Sequence, residues 1–320
     1  MTAKKKAQAK RKTTRRQTAR VKRILVPVDF SDKSSEAIAY AAGIAGSYGA
    51  TMELLHVVEP FVHVEDLVLP SSVALLNQQH VENATKRLEK LASKLVPQGV
   101  KHTVKVELGD IDEQILRESA EYNTDLLILN THGYTGIKEL FMGGTAEKLV
   151  RYAKCPVLVV RRRSRRRPSA ERMKRILVPL DFSDHSKKAL QYAKHFAKHF
   201  GASIDLVSSV EPMIYYEGMT VSTTMTEDTE SIGTEAGVAL RRLGEKEIPK
   251  GVDWGAFVRM GSAHHEVIET AKDRKTDLLV ITTHGHTGLK HFLLGSTAEQ
   301  IVRHAPCPVL VVRDKEHDFV

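Results

Sequence analysis

At 320 residues and 42% hydrophobic content, the chain is long enough to bury two ordinary cores of about 140 residues each. Its formal charge of +9 comes from two segments: residues 1–23 hold 11 Lys/Arg and no acid, and residues 161–175 hold 9 against the single Glu171, which leaves 28 basic and 38 acidic residues elsewhere. No apolar run approaches the roughly 20 residues of a membrane span, and Asp29 interrupts ILVPV too early for a signal-peptide core.

Residues 1–22 have no apolar side chain larger than Ala or Met before Val21, so they are expected to form a disordered basic tail. Linker 162–173, with Pro168 and its arginines, reads the same way. The functional reading of both is contact with nucleic acid or another polyanion by counterion release; the plainer one is a solubilising tail and a spacer. No aromatic residue interleaves the charges, so base stacking is not expected.

The first domain is expected at 23–161. Strand Ile24–Val28 leads to a helix from about Ser34 to Ser47, with Ala37, Ile38, Ala41, Ile44 and Ala45 on one face and Gly49 as its stop. Strand Thr51–Val58 ends at Glu59 and Pro60, residues 61–77 show no clear period, and a longer helix is centred on Ala84–Leu95. Strand Thr103–Leu108, closed by Gly109, precedes a helix over Glu113–Tyr122, strand Leu126–Asn130, a last helix over Ala146–Ala153 and strand Pro156–Val160.

Every anchor recurs 152 positions later: ILVPVDFSD (24–32) becomes ILVPLDFSD (176–184), Gly109 becomes Gly261, and 131–161 aligns with 283–313. A period of this length is a duplicated domain rather than a solenoid repeat, which places the second domain at 174–313 and a C-terminal tail at 314–320. Within it, 213–233 is expected to be a mobile loop. Buried-type strands alternating with helices predict an α/β fold, two tandem doubly wound domains, each with a five-stranded parallel sheet. Cys155 and Cys307 open equivalent CPVLVV strands, where a small buried residue suits the position and a reducing, cytoplasmic setting.

Ligands of such sheets sit at the carboxyl ends of the strands. Two loops meet there, one with Asp29 (Asp181) after strand one, the other with Gly133 and Gly136 (Gly285 and Gly288) after strand four. Gly143 (Gly295) then opens the last helix, whose free N–H groups favour an anion, so the loops suggest a phosphate cradle. Alternatively, the glycines are ordinary turn residues, Ser296 with Glu299 is a capping box, and Asp29, Ser31 or Asp32 caps the first helix. His132, His284, Lys138 and Lys290 could meet a phosphate or simply be solvated. No P-loop and no GxGxxG after a strand occurs, and His264 and His265 lack further ligands at metal spacing.

The VPVDFSD and VPLDFSD openings, LLHVVEP (54–60), the THG-x-TG loops, the G-(S/G)-TAE turns and the CPVLVVR finishes together resemble the universal stress protein family, over all but the tails and linker. The resemblance implies an adenine nucleotide alpha hydrolase-like fold with strand order 3-2-1-4-5, and pairing of domain 1 with domain 2 through their last strands, or of two chains as a homodimer. It implies nucleotide binding by Pro27, Val28, Asp29, Val57, Asn130, Gly133, Gly143, Gly144 and Thr145 in domain one. In domain two it implies Pro179, Leu180, Asp181, Ser209, Thr282, Gly285, Gly295, Ser296 and Thr297. ATP is the ligand it implies first, with AMP and ADP as alternatives and Mg2+ accompanying ATP.

Both halves depart from the family's Gly-x2-Gly-x9-Gly-Ser/Thr pattern. Asn130 and Thr282 replace the first glycine, Gly144 lacks the hydroxyl that Ser296 keeps, and Ser209 stands where the first half has Val57. The expected function is a stress-response module responding to adenine nucleotide. The alternative is a non-nucleotide scaffold acting on polyanions through the tail and linker. A slow ATPase ranks last, since no general base can be identified beside the loop.

Overall fold

The computed structural model describes residues 20–60, 70–130, 143–160, 170, 173–211, 215–217, 220–222, 227–283, 294–313 and 316–320. In the first half these form β1 (Arg23–Pro27), α1 (Asp32–Tyr48), β2 (Thr51–Val58), α2 (Pro70–Leu95), β3 (Lys101–Leu108), α3 (Ile111–Glu121), β4 (Leu126–Asn130), α4 (Gly144–Tyr152) and β5 (Val157–Val160). The second half has β6 (Arg175–Pro179), α5 (Asp184–Phe200), β7 (Ser203–Val210), β8 (Tyr215–Glu217), β9 (Thr220–Ser222), α6 (Glu227–Glu247), β10 (Trp254–Met260), α7 (Ala263–Asp273), β11 (Leu278–Thr282), α8 (Ser296–His304) and β12 (Val309–Val312).

Each half is a five-stranded parallel sheet, in the order β3-β2-β1-β4-β5 and β10-β7-β6-β11-β12. The central strands β1, β4, β5, β6, β11 and β12 are largely apolar because both faces are covered: Ile24 and Val26 enter one core and Leu25 the other. Gly49 and Gly201 end α1 and α5 at φ 64°, the left-handed conformation that glycine adopts without a Cβ penalty. Asp125 braces the start of β1, one carboxylate oxygen accepting from the N–H groups of Lys22 (2.7 Å) and Arg23 (2.9 Å), and Asp277 does the same for Lys174 (2.8 Å) and Arg175 (3.0 Å).

Two expectations change. Helix α2 begins at Pro70, well before 77; its first turns leave Leu75 and Leu76 exposed, so no apolar stripe marks them in the sequence. The expected loop 213–233 contains the antiparallel β8–β9 hairpin, in register Tyr216↔Val221, and the first turns of α6. Both free cysteines are buried. Among the described residues, no helix is long and apolar enough to cross a membrane.

The two sheets join through β5 and β12, which pair antiparallel with Leu158 opposite Leu310. The result is one ten-stranded sheet in which the strands of the two halves run in opposite directions. Across the seam Tyr48 of α1 stacks on His199 of α5, with ring centroids 3.6 Å apart. Beyond β12, the His317 N–H donates to the Lys154 carbonyl (2.7 Å), its ring meets Asp125 (2.9 Å), and Phe319 packs edge-on against Tyr192.

Candidate functional site

The turn after β1 has one geometry in both halves. Asp29 Oδ1 accepts from the Ser31 N–H (3.0 Å) and hydroxyl (2.6 Å), and Asp181 accepts from Ser183 at the same distances. The helix cap belongs to the serines: Ser31 Oγ accepts from the Ser34 N–H at 3.1 Å and Ser183 Oγ from the Ser186 N–H at 3.2 Å. Between acid and cap, Phe30 and Phe182 hold φ of 61° and 64°, a left-handed conformation costly for an aromatic residue. The same strain recurs in both copies, beside the two aspartates at the carboxyl edge.

In domain one, Val28 and Val57 are buried, and the Val28 carbonyl meets His56 Nδ1 at 2.7 Å. Burial first, then the charge of Arg87, lowers the His56 pKa against the opposing pull of that carbonyl and of Asp29. Asn130, at the end of β4, donates through Nδ2 to the Lys33 carbonyl at 3.2 Å, which ties the strand-four side of the edge to the start of α1. Gly143 is the N-cap of α4, with no side-chain cap, and a Cβ on Gly144 would meet nothing within 4 Å.

Domain two gathers its residues around one cleft of about 450 Å³. Pro179, Leu180, Asp181, Ser209, Thr282, Gly295, Ser296 and Thr297 all line it. They arrive from the end of β6, the end of β7, the end of β11 and the start of α8. Gly295 caps α8 with no side-chain hydrogen bond, so Ser296 and Glu299 do not form the expected capping box; Glu299 instead bonds Arg303 one turn on. The Gly295 N–H donates to the Thr283 carbonyl at 2.9 Å, and a Cβ there would press on that oxygen at 3.2 Å. The close approach favours glycine here, and the first turn of α8 is left open toward the cleft.

Gly133, Gly285, Gly136 and Gly288 lie outside the described residues, as do His132, His284, Lys138 and Lys290. Sequence reasoning missed Ser186, Glu211, Ala263 and Thr283, which also line the cleft. Glu211 had a signal, since it repeats the Glu-Pro pair that ends strand two in the first half. Ala263 had none, because a small residue at the start of α7 becomes a wall only when β7 and β11 are neighbours of β6.

The model of the universal stress protein family matches residues 20–161 and 173–313. A universal stress protein of Methanocaldococcus jannaschii is 34% identical over 140 residues, spanning 44% of this chain and 82% of the relative. One from Mycolicibacterium smegmatis is 28% identical over 296 residues, spanning 91% of this chain and 97% of its own length. Among solved structures, a universal stress protein from Archaeoglobus fulgidus superposes with a TM-score of 0.65 at 19% identity, covering 93% of this chain and 99% of that one, a likeness of fold.

Proposed function

The chain belongs to the universal stress protein family, and from that membership we propose that it is a cytoplasmic stress-response protein that holds an adenine nucleotide, ATP first, in the domain-two cleft and acts as a nucleotide-responsive interaction module. The observation that carries this reading is convergence. Eight positions chosen from sequence, spread over more than a hundred residues, line a single cleft, whose volume lies in the range of small-molecule sites.

The residues present suit such a ligand. The uncapped start of α8, with Gly295, Ser296 and Thr297, offers N–H groups and hydroxyls to a phosphate, and the apolar walls Leu180, Val207 and Val267 suit a base. Mg2+ would travel with the phosphates of ATP, while AMP or ADP would use the same turn. Domain one is the weaker site on this reading, because Asn130 bridges to Lys33 and Gly144 has no hydroxyl. The β5–β12 pairing, acting within one chain in solution, would let nucleotide bias the paired domains toward a partner-binding state.

A ligand that binds only the folded chain raises its stability by RT ln(1 + [L]/Kd). Thermal unfolding at millimolar ATP is therefore expected to shift upward relative to ligand-free protein. No shift with ATP, ADP or AMP would remove the nucleotide reading.

A further inference from the structure

One buried position is built with different charges in the two halves. In domain two, Asp205 of β7 is closed by Arg274, whose Nε donates to Oδ2 at 2.9 Å and Nη2 to Oδ1 at 3.4 Å, with Arg175 Nε 3.7 Å away. Thr270 of α7 is buried nearby and accepts from Arg259, and the Arg274 guanidinium lies over the Phe257 ring at 4.6 Å. The residues 152 positions before Asp205, Thr270, Phe257 and Arg274 are Glu53, Glu118, Lys105 and Tyr122. Domain one thus has two carboxylates where domain two has one, and a tyrosine where domain two has the closing arginine.

Both carboxylates are buried, Glu53 at 8% exposure and Glu118 at 4%. The one lysine is spent elsewhere: Lys105 Nζ donates to Glu118 and, at 3.1 Å, to Glu107, which Arg117 also holds at 3.2 Å. Glu53 Oε2 accepts only from the Thr103 hydroxyl, at 3.5 Å, and its Oε1 is buried with no hydrogen-bond partner among the described residues. Two like charges in one desolvated site do not both ionise readily, so the pair retains a proton. That proton converts repulsion into an O–H···O bond between the carboxyls. Burial first, then the charge and hydrogen bond of Glu118, push the Glu53 pKa up to about 7 against the pull of Lys105 and Thr103. Tyr122, at the end of α3, is pushed up to about 12 by burial, then by Glu53, with Arg23 of β1 opposing and Asp125 and Glu118 adding.

We propose that Glu53 and Glu118 share one proton that clamps α3 onto β2, so that domain one, and not domain two, loosens when the pair ionises. Glu53 is fixed on a strand flanked by β1 and β3, whereas Glu118 sits in the last turn of α3, where the helix dipole disfavours negative charge. The helix is therefore the element that gives way. A pair held protonated by the fold contributes stability that is present below the ordinary carboxylate range and lost as pH rises to about 7. The effect extends toward the carboxyl edge: Ala263 and Val267 of α7 wall the domain-two cleft, Ile111 and Ile115 hold those positions on α3, and Asp112 of α3 bonds Lys148 of α4. The switch does not depend on the nucleotide reading.

Carbon-13 NMR of the whole chain, with glutamate labelled at the side-chain carboxyl and Glu53 and Glu118 assigned through Glu53→Gln and Glu118→Gln, reads the proton directly. The two carbons are expected to shift together in a step near pH 7; separate titrations in the ordinary carboxylate range overturn the proposal. In Glu118→Gln, whose amide donates to Glu53 without a charge, the Glu53 step is expected at lower pH, and an unmoved step assigns the shift to burial alone and overturns the shared proton. Hydrogen exchange, corrected for intrinsic rate, reads the clamp. Protection of α3 relative to α7 is expected to fall about ten-fold or more from pH 5 to pH 8 in the wild type and to stay level in Glu53→Gln. An equal response of α3 and α7, or the same fall in Glu53→Gln, removes the clamp.

Discussion

A Cβ built on Gly244 would lie 2.4 Å from the ring of Trp254, well inside any real contact. The glycine is there for space, letting α6 lie close on β10, and helix propensity is sacrificed to packing. Gly244→Ala is expected to destabilise domain two by about 1–3 kcal/mol despite alanine's better helix propensity, because the ring must leave its rotamer or the helix must move. Trp254 is the chain's one tryptophan, so its fluorescence during chemical denaturation reports the loss directly. A midpoint unchanged or raised would mean the helix absorbs the methyl group. At this scale the sequence was legible where a residue had a repeated partner, as with Asp29 and Asp181. It was silent where the reason was a neighbour from another element, as with Gly244 and Trp254.

Helices α4 and α8 are near-copies that differ at four of nine positions, the first being Gly144 against Ser296. Neither start has a side-chain cap, so the element is built alike in both halves and differs in what it can offer a ligand. Gly144→Ser meets no steric obstacle. Its stability is expected to stay within about 0.5 kcal/mol of the wild type, since serine is slightly the better helix former. On the nucleotide reading it should increase the number of ATP molecules retained per chain in native mass spectrometry. Unchanged occupancy would assign the limit in domain one to the Asn130–Lys33 bridge instead. Element identity was readable because the central strands are apolar and most helices carry a buried stripe. The first turns of α2 and the β8–β9 hairpin were not, because exposed residues follow no burial period.

At the scale of the whole molecule, the last residues of the chain return to the seam. The Glu316 side chain has no solvent exposure and lies among Lys188 (3.8 Å), the Tyr192 hydroxyl (3.1 Å) and Arg313. Burial, outweighing the backbone hydrogen bond and the cations, pushes its pKa up to about 7. A folded-state pKa raised above the unfolded value contributes stability that is fully present below the ordinary carboxylate value and is lost as pH rises through about 7. From pH 5 to pH 8 the stability of the wild type relative to Glu316→Gln, whose amide titrates nowhere in that range, should therefore fall by on the order of 2 kcal/mol. An identical slope in wild type and variant would place the pH dependence elsewhere.

The amino-acid sequence by itself determined the duplication, the order of the main strands and helices, and the buried cysteines. Those depend on local hydrophobic period and on residues repeated at constant spacing, which are written along the chain. Only the tertiary structure decided that the two sheets join antiparallel, that the two carboxyl edges therefore face opposite ways, and that Glu211 and Ala263 wall the same cleft as Ser296. Each of these depends on which strands become neighbours, and pairing between β5 and β12 is settled by side chains meeting across the seam, Leu158 on Leu310 and Tyr48 on His199, contacts for which a linear sequence has no period.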